Sequence, residues 1–293
     1  MHPPGAADEG RTPLRPSDTG RVMAAQGIRP KKALGQHFVF DENTLRRIAR
    51  IAGVGPGGRV VEVGAGLGGL TAVLASTGAR VVALEIDARL FPVLREVAAG
   101  PSVRIVQADA LQVDWTALLG GEPGWAMVAN LPYNVAARIV VRALEEAPMI
   151  DRFVVMVQRE VGERLAARRA EAGYGAVSLK VAYFAEARVV GRVPASVFLP
   201  RPRVESVLLE LKRRSAPPLD PSEVPYDRLF AVVRAGFSQR RKMLRRSLSG
   251  TLDPETFDAA GVDPSRRAEE LGIEDWGRLV MCEQRRKDSG AGE

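Results

Sequence analysis

Short runs of branched apolar residues alternating with helix-spaced segments constrain this chain more than any other feature. Arg59–Val63, Arg80–Ile86, Val103–Gln107, Ala126–Ala129 and Phe153–Gln158 are strand-length and apolar on both faces. Between them, Leu67–Thr77, Ala88–Ala98 and Val135–Ala147 carry helical spacing, the last through Val135, Ile139, Val140 and Leu144. Strands buried on both faces and joined through helices are expected to be parallel, since a parallel pair needs a long crossover. The pattern predicts an open, doubly wound α/β sheet with helices on both faces. Val181–Val193 and Val204–Leu211 read as two further strands bracketing the Pro-rich Pro194–Pro202.

The 293 residues divide unevenly around this sheet. Residues 1–27, rich in Gly, Pro, Asp and Arg without periodicity, are expected to be a disordered tail. Residues 28–213 form the α/β domain, 214–224 a Pro-rich linker, 225–286 a small C-terminal helical domain, and 287–293 a frayed end. The net charge is +7, and Lys212–Gly250 holds ten basic residues against three acids, so the whole excess lies in one segment. On a helical wheel over about 238–249, Arg241, Lys242, Arg245 and Arg246 fall on one side. Met243, Leu244 and Leu248 fall with Phe237 on the other. The expectation is an amphipathic helix whose wet face is a cationic stripe for nucleic-acid phosphates. Arg240 falls on the apolar side, where a buried ion pair is expected.

Composition excludes several chemistries. The purest apolar run, Phe153–Val157, is far short of the roughly 18 residues a membrane span needs, and the N-terminus has no signal-peptide pattern. One cysteine, Cys282, allows no intrachain disulfide framework or Cys-rich zinc site. Two histidines, His2 and His37, leave too little for a His-based metal centre or a Ser-His-Asp triad. A cytoplasmic protein without metal or membrane is expected.

Val60-Val61-Glu62-Val63-Gly64-Ala65-Gly66-Leu67-Gly68-Gly69 is a strand, a Gly-rich turn and a helix start. Gly64, Gly66 and Gly69 also satisfy G-x-G-x-x-G, so the glycines alone do not separate a dinucleotide enzyme from other nucleoside binders. The next strand ends in Glu85, placed to accept from ribose hydroxyls, with Asp87 as a plain helix N-cap in the alternative. The third ends at Asp109, a further carboxylate at the same sheet edge, suited to an adenine amino group.

The fourth strand runs into Asn130-Leu131-Pro132-Tyr133. An aromatic amine is a poor nucleophile because its lone pair is delocalised. An Asn oxygen and a main-chain carbonyl accepting its two N–H bonds would localise that pair, while a tyrosine stacks on the base. Attack on a sulfonium methyl leaves a cationic amine that sheds its proton readily, so no histidine base is needed.

With these motifs in place the chain resembles the small-subunit ribosomal RNA adenine-N6,N6-dimethyltransferases. The resemblance spans about residues 29–285. It rests on Leu34-Gly-Gln-His-Phe38, Glu62–Gly68, Leu84-Glu-Ile-Asp87, Asn130–Tyr133, Phe198-Leu-Pro-Arg-Pro-Arg-Val-Glu-Ser206 and Phe237-Ser-Gln-Arg-Arg-Lys242. His37 stands where Asn is common in that family, and Ala65 where Pro is frequent. The resemblance implies a Rossmann-like class I methyltransferase fold and S-adenosyl-L-methionine contacts at His37, Val39, Gly64, Gly66, Glu85, Asp109 and Asn130. It places the target adenine against Asn130, Leu131, Pro132 and Tyr133, with Phe198 as the second stacking face. It further implies dimethylation of two adjacent adenosines in a hairpin loop near the 3′ end of small-subunit (16S) rRNA, by a monomer acting on an assembling particle. Large-subunit (23S) rRNA methylation of the macrolide-resistance type, a non-catalytic RNA-binding assembly factor and, more distantly, a dehydrogenase are the alternatives.

Overall fold

The computed structural model of the protein describes residues 16–25 and 27–290. Its strands are β1 (Phe38–Val39), β2 (Arg59–Val63), β3 (Arg80–Glu85), β4 (Val103–Gln107), β5 (Trp125–Asn130), β6 (Ile150–Gln158), β7 (Ala185–Val193), β8 (Phe198–Leu199) and β9 (Ser206–Arg213). Seven of them form one sheet in the order β4-β3-β2-β5-β6-β9-β7, and β1 pairs with β8 separately. Strands β2 to β6 run parallel, and β9 lies antiparallel between β6 and β7.

Alternate residues along the strands enter different cores, which is why they read as continuous apolar runs. Val61, Val63, Met127, Phe153 and Val155 pack with Ile139, Val140 and Leu144 of the helix Ala136–Glu146. Val60, Val81, Val128, Val154 and Met156 pack on the other face with Ile48 of Glu42–Ala52 and Leu74 of Gly69–Ser76. Strand order reverses between β2 and β5, which opens a crevice at their C-terminal ends.

Several expectations are corrected. Val181–Val193 is not one strand: Ala176–Phe184 is a helix and β7 begins at Ala185. Leu179 and Tyr183 join the core of the C-terminal helices while Val181 joins the sheet core, so a helix buried on two sides imitates a strand pattern. Strand β9 starts at Ser206 rather than Val204, after a loop containing Pro200 and Pro202. The segment read as a disordered tail contains the helix Pro16–Ala25, whose Met23 is buried with Ile28, Phe38, Leu67, Leu90 and Val93. Residues 1–15 lie outside the described residues. At the other end, the helix Ile273–Gly290 continues through residues expected to fray, with Lys287 bonded to Glu283, and residues 291–293 lie outside the described part.

The predicted helix over about 238–249 does not form. The helix Tyr226–Ser238 stops, and only Leu244–Ser247 is helical beyond it. A helix would set Arg241 against Arg245 and Lys242 against Arg246 as like-charged i,i+4 pairs, and residues 264–267 offer the chain other partners. Met243 bridges to Arg267, Leu244 N donates to Arg266 O, and Arg245 N donates to Pro264 O. Met243 is therefore 41% exposed, while Leu244 and Leu248 are buried as expected. Arg240 is paired, to Glu269 at 2.7 Å, but half-exposed rather than buried.

The charge of the basic segment is also partly spent inside the fold. Arg213 donates to the carbonyls of Ala143, Leu144, Ala147 and Ile150, closing the C-terminal end of the helix Ala136–Glu146. Arg228 pairs with Glu283 and Arg214 with Glu186. Arg241, Lys242, Arg245 and Arg246 are exposed, and among the described residues they have no acid partner within 4 Å. Among the described residues no helix is long and apolar enough to cross a membrane.

Candidate active site

The crevice is lined at its floor by the turn after β2. Gly64, Gly66 and Gly68 adopt φ of 77°, 58° and 86°, a region that disfavours any Cβ. A Cβ on Gly66 would come within 3.1 Å of the Phe38 ring, so this turn also needs the space. The amides of Gly64 and Ala65 donate to Leu84 O at 2.8 and 3.0 Å, locking the turn to the end of β3.

Glu85, 5% exposed, receives three main-chain N–H bonds: Gly66 N on Oε2 at 2.8 Å, and Ile86 N and Asp87 N on Oε1 at 2.9 Å each. Burial raises its pKa, opposed by those bonds. A carboxylate offers about four acceptor positions, so one direction on Oε2 is left for a ligand. Asp87 takes the plainer role: it caps the turn Ala88–Leu90, and Arg89 foremost holds its carboxyl down at about 2. Asp109, after β4, accepts from Leu111 N and Gln112 Nε2 while lining the crevice.

Asn130 ends β5 with its orientation set from far along the chain. Its Nδ2 donates to His37 O at 2.8 Å, across 93 residues. Its Oδ1 is buried and has no hydrogen-bond partner. A buried acceptor without a donor costs about 1–3 kcal/mol, a cost that a ligand donor would remove. Tyr133 is held by its hydroxyl to Ser206 Oγ at 2.6 Å, and the His37 ring stacks on it with centroids 4.9 Å apart and planes at 25°. His37 Nδ1 in turn lies 2.8 Å from Pro200 O.

The cavity thus brings together His37, Val39, Gly64, Gly66, Glu85, Asp109, Asn130, Leu131, Pro132 and Tyr133. Phe198 is not in its wall: it is 2% exposed and meets Tyr133 edge-on at 6.4 Å and 67°, bracing the ring from behind. Arg241, Lys242, Arg245 and Arg246 are not in its wall either, and lie on the C-terminal helical part.

Sequence reasoning passed over Glu62 and Ser206 as site residues. Glu62 lines the cavity at 1% exposure; burial pushes its carboxyl up to about 8, against the Thr71 Oγ1 bond at 2.6 Å. A lone acid inside an apolar strand was the available signal. Ser206 ends the Phe198–Ser206 stretch, but its contact with Tyr133 spans 73 residues and has no local signal. Among the described residues no group of three or more His, Cys, Asp or Glu is placed to hold a metal ion.

Comparison with known proteins agrees with this geometry. The profile of the family described as "Ribosomal RNA adenine dimethylase" matches residues 27–284. "Ribosomal RNA small subunit methyltransferase A" of Thermobifida fusca is 46% identical over 278 residues, covering 91% of this chain and 95% of its own. The protein of the same name from Moorella thermoacetica is 42% identical, with 90% and 96% covered. Among solved structures, the 23S rRNA methyltransferase ErmE superposes with a TM-score of 0.65 at 30% identity, covering 84% of this chain and 99% of that one. A dimethyladenosine transferase from Plasmodium falciparum superposes with a TM-score of 0.71 at 20% identity, covering 86% and 98%, which shows the shared fold. With the sheet of a class I methyltransferase, a family match over residues 27–284 and a relative 46% identical along 91% of the chain, this protein belongs to the ribosomal RNA adenine dimethylase family.

Proposed function

We propose that this protein transfers methyl groups from S-adenosyl-L-methionine to N6 of two adjacent adenosines in a hairpin loop near the 3′ end of small-subunit rRNA, giving N6,N6-dimethyladenosine. The observation that carries the reading is Asn130 Oδ1, a buried acceptor without a partner at the end of β5. Bound in the crevice, S-adenosyl-L-methionine supplies a methyl activated by sulfonium charge. His37, Val39, Gly64, Gly66, Glu85, Asp109 and Asn130 line the same cavity and are the residues to hold it. The three N–H bonds on Glu85 aim its remaining acceptor position, and the positive-φ glycines let main chain approach a ligand closely.

Toward the target base, Asn130 Oδ1 accepts one N–H of the amine and a main-chain carbonyl of the Asn130–Tyr133 turn the other. The bond from Nδ2 to His37 O prevents the amide from turning its donor side inward. Tyr133 stacks on the base once the His37 imidazole, 4.9 Å away and within 25° of parallel, yields that face of the ring. Leu131 and Pro132 shape the wall, and Phe198 keeps Tyr133 upright. The methylated amine is cationic and releases its proton to water, so no side-chain base is required. Arg241, Lys242, Arg245 and Arg246 contact phosphate outside the crevice. The protein acts as a cytoplasmic monomer on a partly assembled particle.

Tritiated methyl transfer to undermethylated small-subunit particles, with digestion to nucleosides, tests this directly. Dimethyladenosine is the expected product. Label in large-subunit RNA instead would favour the activity named for ErmE, and binding without transfer would favour an assembly factor.

A further inference from the structure

The six-residue loop 200–205, which joins β8 to β9, is tied to the crevice at both ends. Pro200 O lies 2.8 Å from His37 Nδ1, and Ser206 Oγ lies 2.6 Å from the Tyr133 hydroxyl. Just before it, Phe38 and Val39 pair with Leu199 and Phe198. The loop therefore stands at the rim, against the two rings that stack beside Asn130.

Its surface sets exposed cations beside exposed apolar groups. Arg201 and Arg203 are exposed, and among the described residues neither has a hydrogen-bond or ion-pair partner. The loop's one acid, Glu205, is engaged by Arg159 at 3.5 Å, so it does not neutralise them. Leu199 and Val204 flank the arginines at 39% and 46% exposure. Pro202, buried between the two arginines, anchors the loop, and the fixed φ of Pro200 and Pro202 limits its freedom. Two unpaired guanidiniums and two half-exposed apolar side chains therefore stand together, on the loop and at the end of β8 that leads into it, beside the crevice.

Resting on the function proposed above, we infer that residues 199–204 grip the RNA strand on either side of the extruded adenosine. Arg201 and Arg203 hold the flanking phosphates, and Leu199 and Val204 pack into the gap that the base leaves in its stack. Extrusion breaks the stacking on both sides of the base, and apolar wedges with backbone cations are the chemistry that offsets it.

The test uses full-length protein and a protein-free RNA hairpin with two adjacent loop adenosines, one replaced by 2-aminopurine. Arg201→Gln/Arg203→Gln should lower the log–log salt slope of binding by about 1.4–1.8, at roughly 0.7–0.9 per neutralised phosphate. S-adenosyl-L-methionine affinity should stay unchanged, and Arg201→Lys/Arg203→Lys should restore the slope. Leu199→Ser/Val204→Ser should keep the slope but lose the 2-aminopurine fluorescence rise that reports unstacking. An unchanged slope in the Gln variant overturns the inference. So does a defect confined to whole particles, which would make a ribosomal protein the partner. Wild-type protein that binds the hairpin but methylates no adenosine, in RNA or particles, would instead defeat the proposed function, and the slope would still score the loop.

Discussion

Replacing Asn130 with alanine separates catalysis from stability in a way few other positions allow. The side chain makes one hydrogen bond, Nδ2 to His37 O, and keeps one buried acceptor unpaired. Losing the bond strands His37 O and costs about 1–3 kcal/mol, and removing the orphaned acceptor returns about 1–3 kcal/mol. The two oppose each other and are of one size, so the variant should unfold within about 2 kcal/mol of wild type. The effect on chemistry has no such cancellation. A hydrogen bond to an amine that becomes charged in the transition state is worth about 1.5–3 kcal/mol, which lowers kcat by about 10- to 150-fold when the acceptor is removed. Single-turnover methyl transfer beside thermal unfolding measures both. A rate within a few-fold of wild type would refute the role of Oδ1. A stability loss well above 2 kcal/mol would refute the claim that Oδ1 is unpaired in the free protein.

Glu62, raised to about 8, holds a proton in the folded state that the unfolded chain releases near 4.5. Its contribution is therefore complete below about pH 4.5 and lost as pH rises to about 8, with a slope of at most about 1.4 kcal/mol per pH unit. Glu62→Gln should flatten the stability profile in that window, leaving a smaller fall from Glu85, whose pKa is raised in the same direction; urea titrations at stepped pH measure it. Asp87 acts oppositely, stabilising above its unfolded value near 3.8 and losing that as pH falls toward 2. Gly66→Ala and Gly64→Ala each impose about 1–2 kcal/mol of left-handed backbone cost. Only Gly66→Ala also pushes on Phe38, at 3.1 Å, so it should melt lower and bind S-adenosyl-L-methionine more weakly; equal melting would remove the packing argument. Arg245→Gln/Arg246→Gln should reduce the salt slope of RNA binding by about 0.7–0.9 for each phosphate no longer neutralised, and an unchanged slope would return these arginines to an ordinary wet surface.

Much of the α/β part is readable along the chain because its causes are local. Strands β2 and β4 have the bounds their apolar runs suggest, and the turn at Gly64–Gly68 needs the positive φ that its glycines allow. Asp87 caps a turn as its position beside Ala88 allows. The basic segment shows where local reasoning stops. A helical wheel gives the stripe one face, but hydrogen bonds to residues 264–267 divert the backbone at 243–245, and Arg213 is consumed by four carbonyls. Ala176–Phe184 misleads for a related reason, since two different cores claim opposite sides of one helix.

The amino-acid order by itself determined the periodicities, the glycine turn and the polar residues at successive strand ends, because each depends on neighbours a few positions away. Only the tertiary structure decided which of Asn130's two amide atoms is left without a partner, that the His37 ring lies on Tyr133 while Phe198 is buried beside it, and that burial raises the Glu62 carboxyl. Those outcomes depend on main-chain carbonyls and packed side chains that meet only when segments far apart in the chain are folded together.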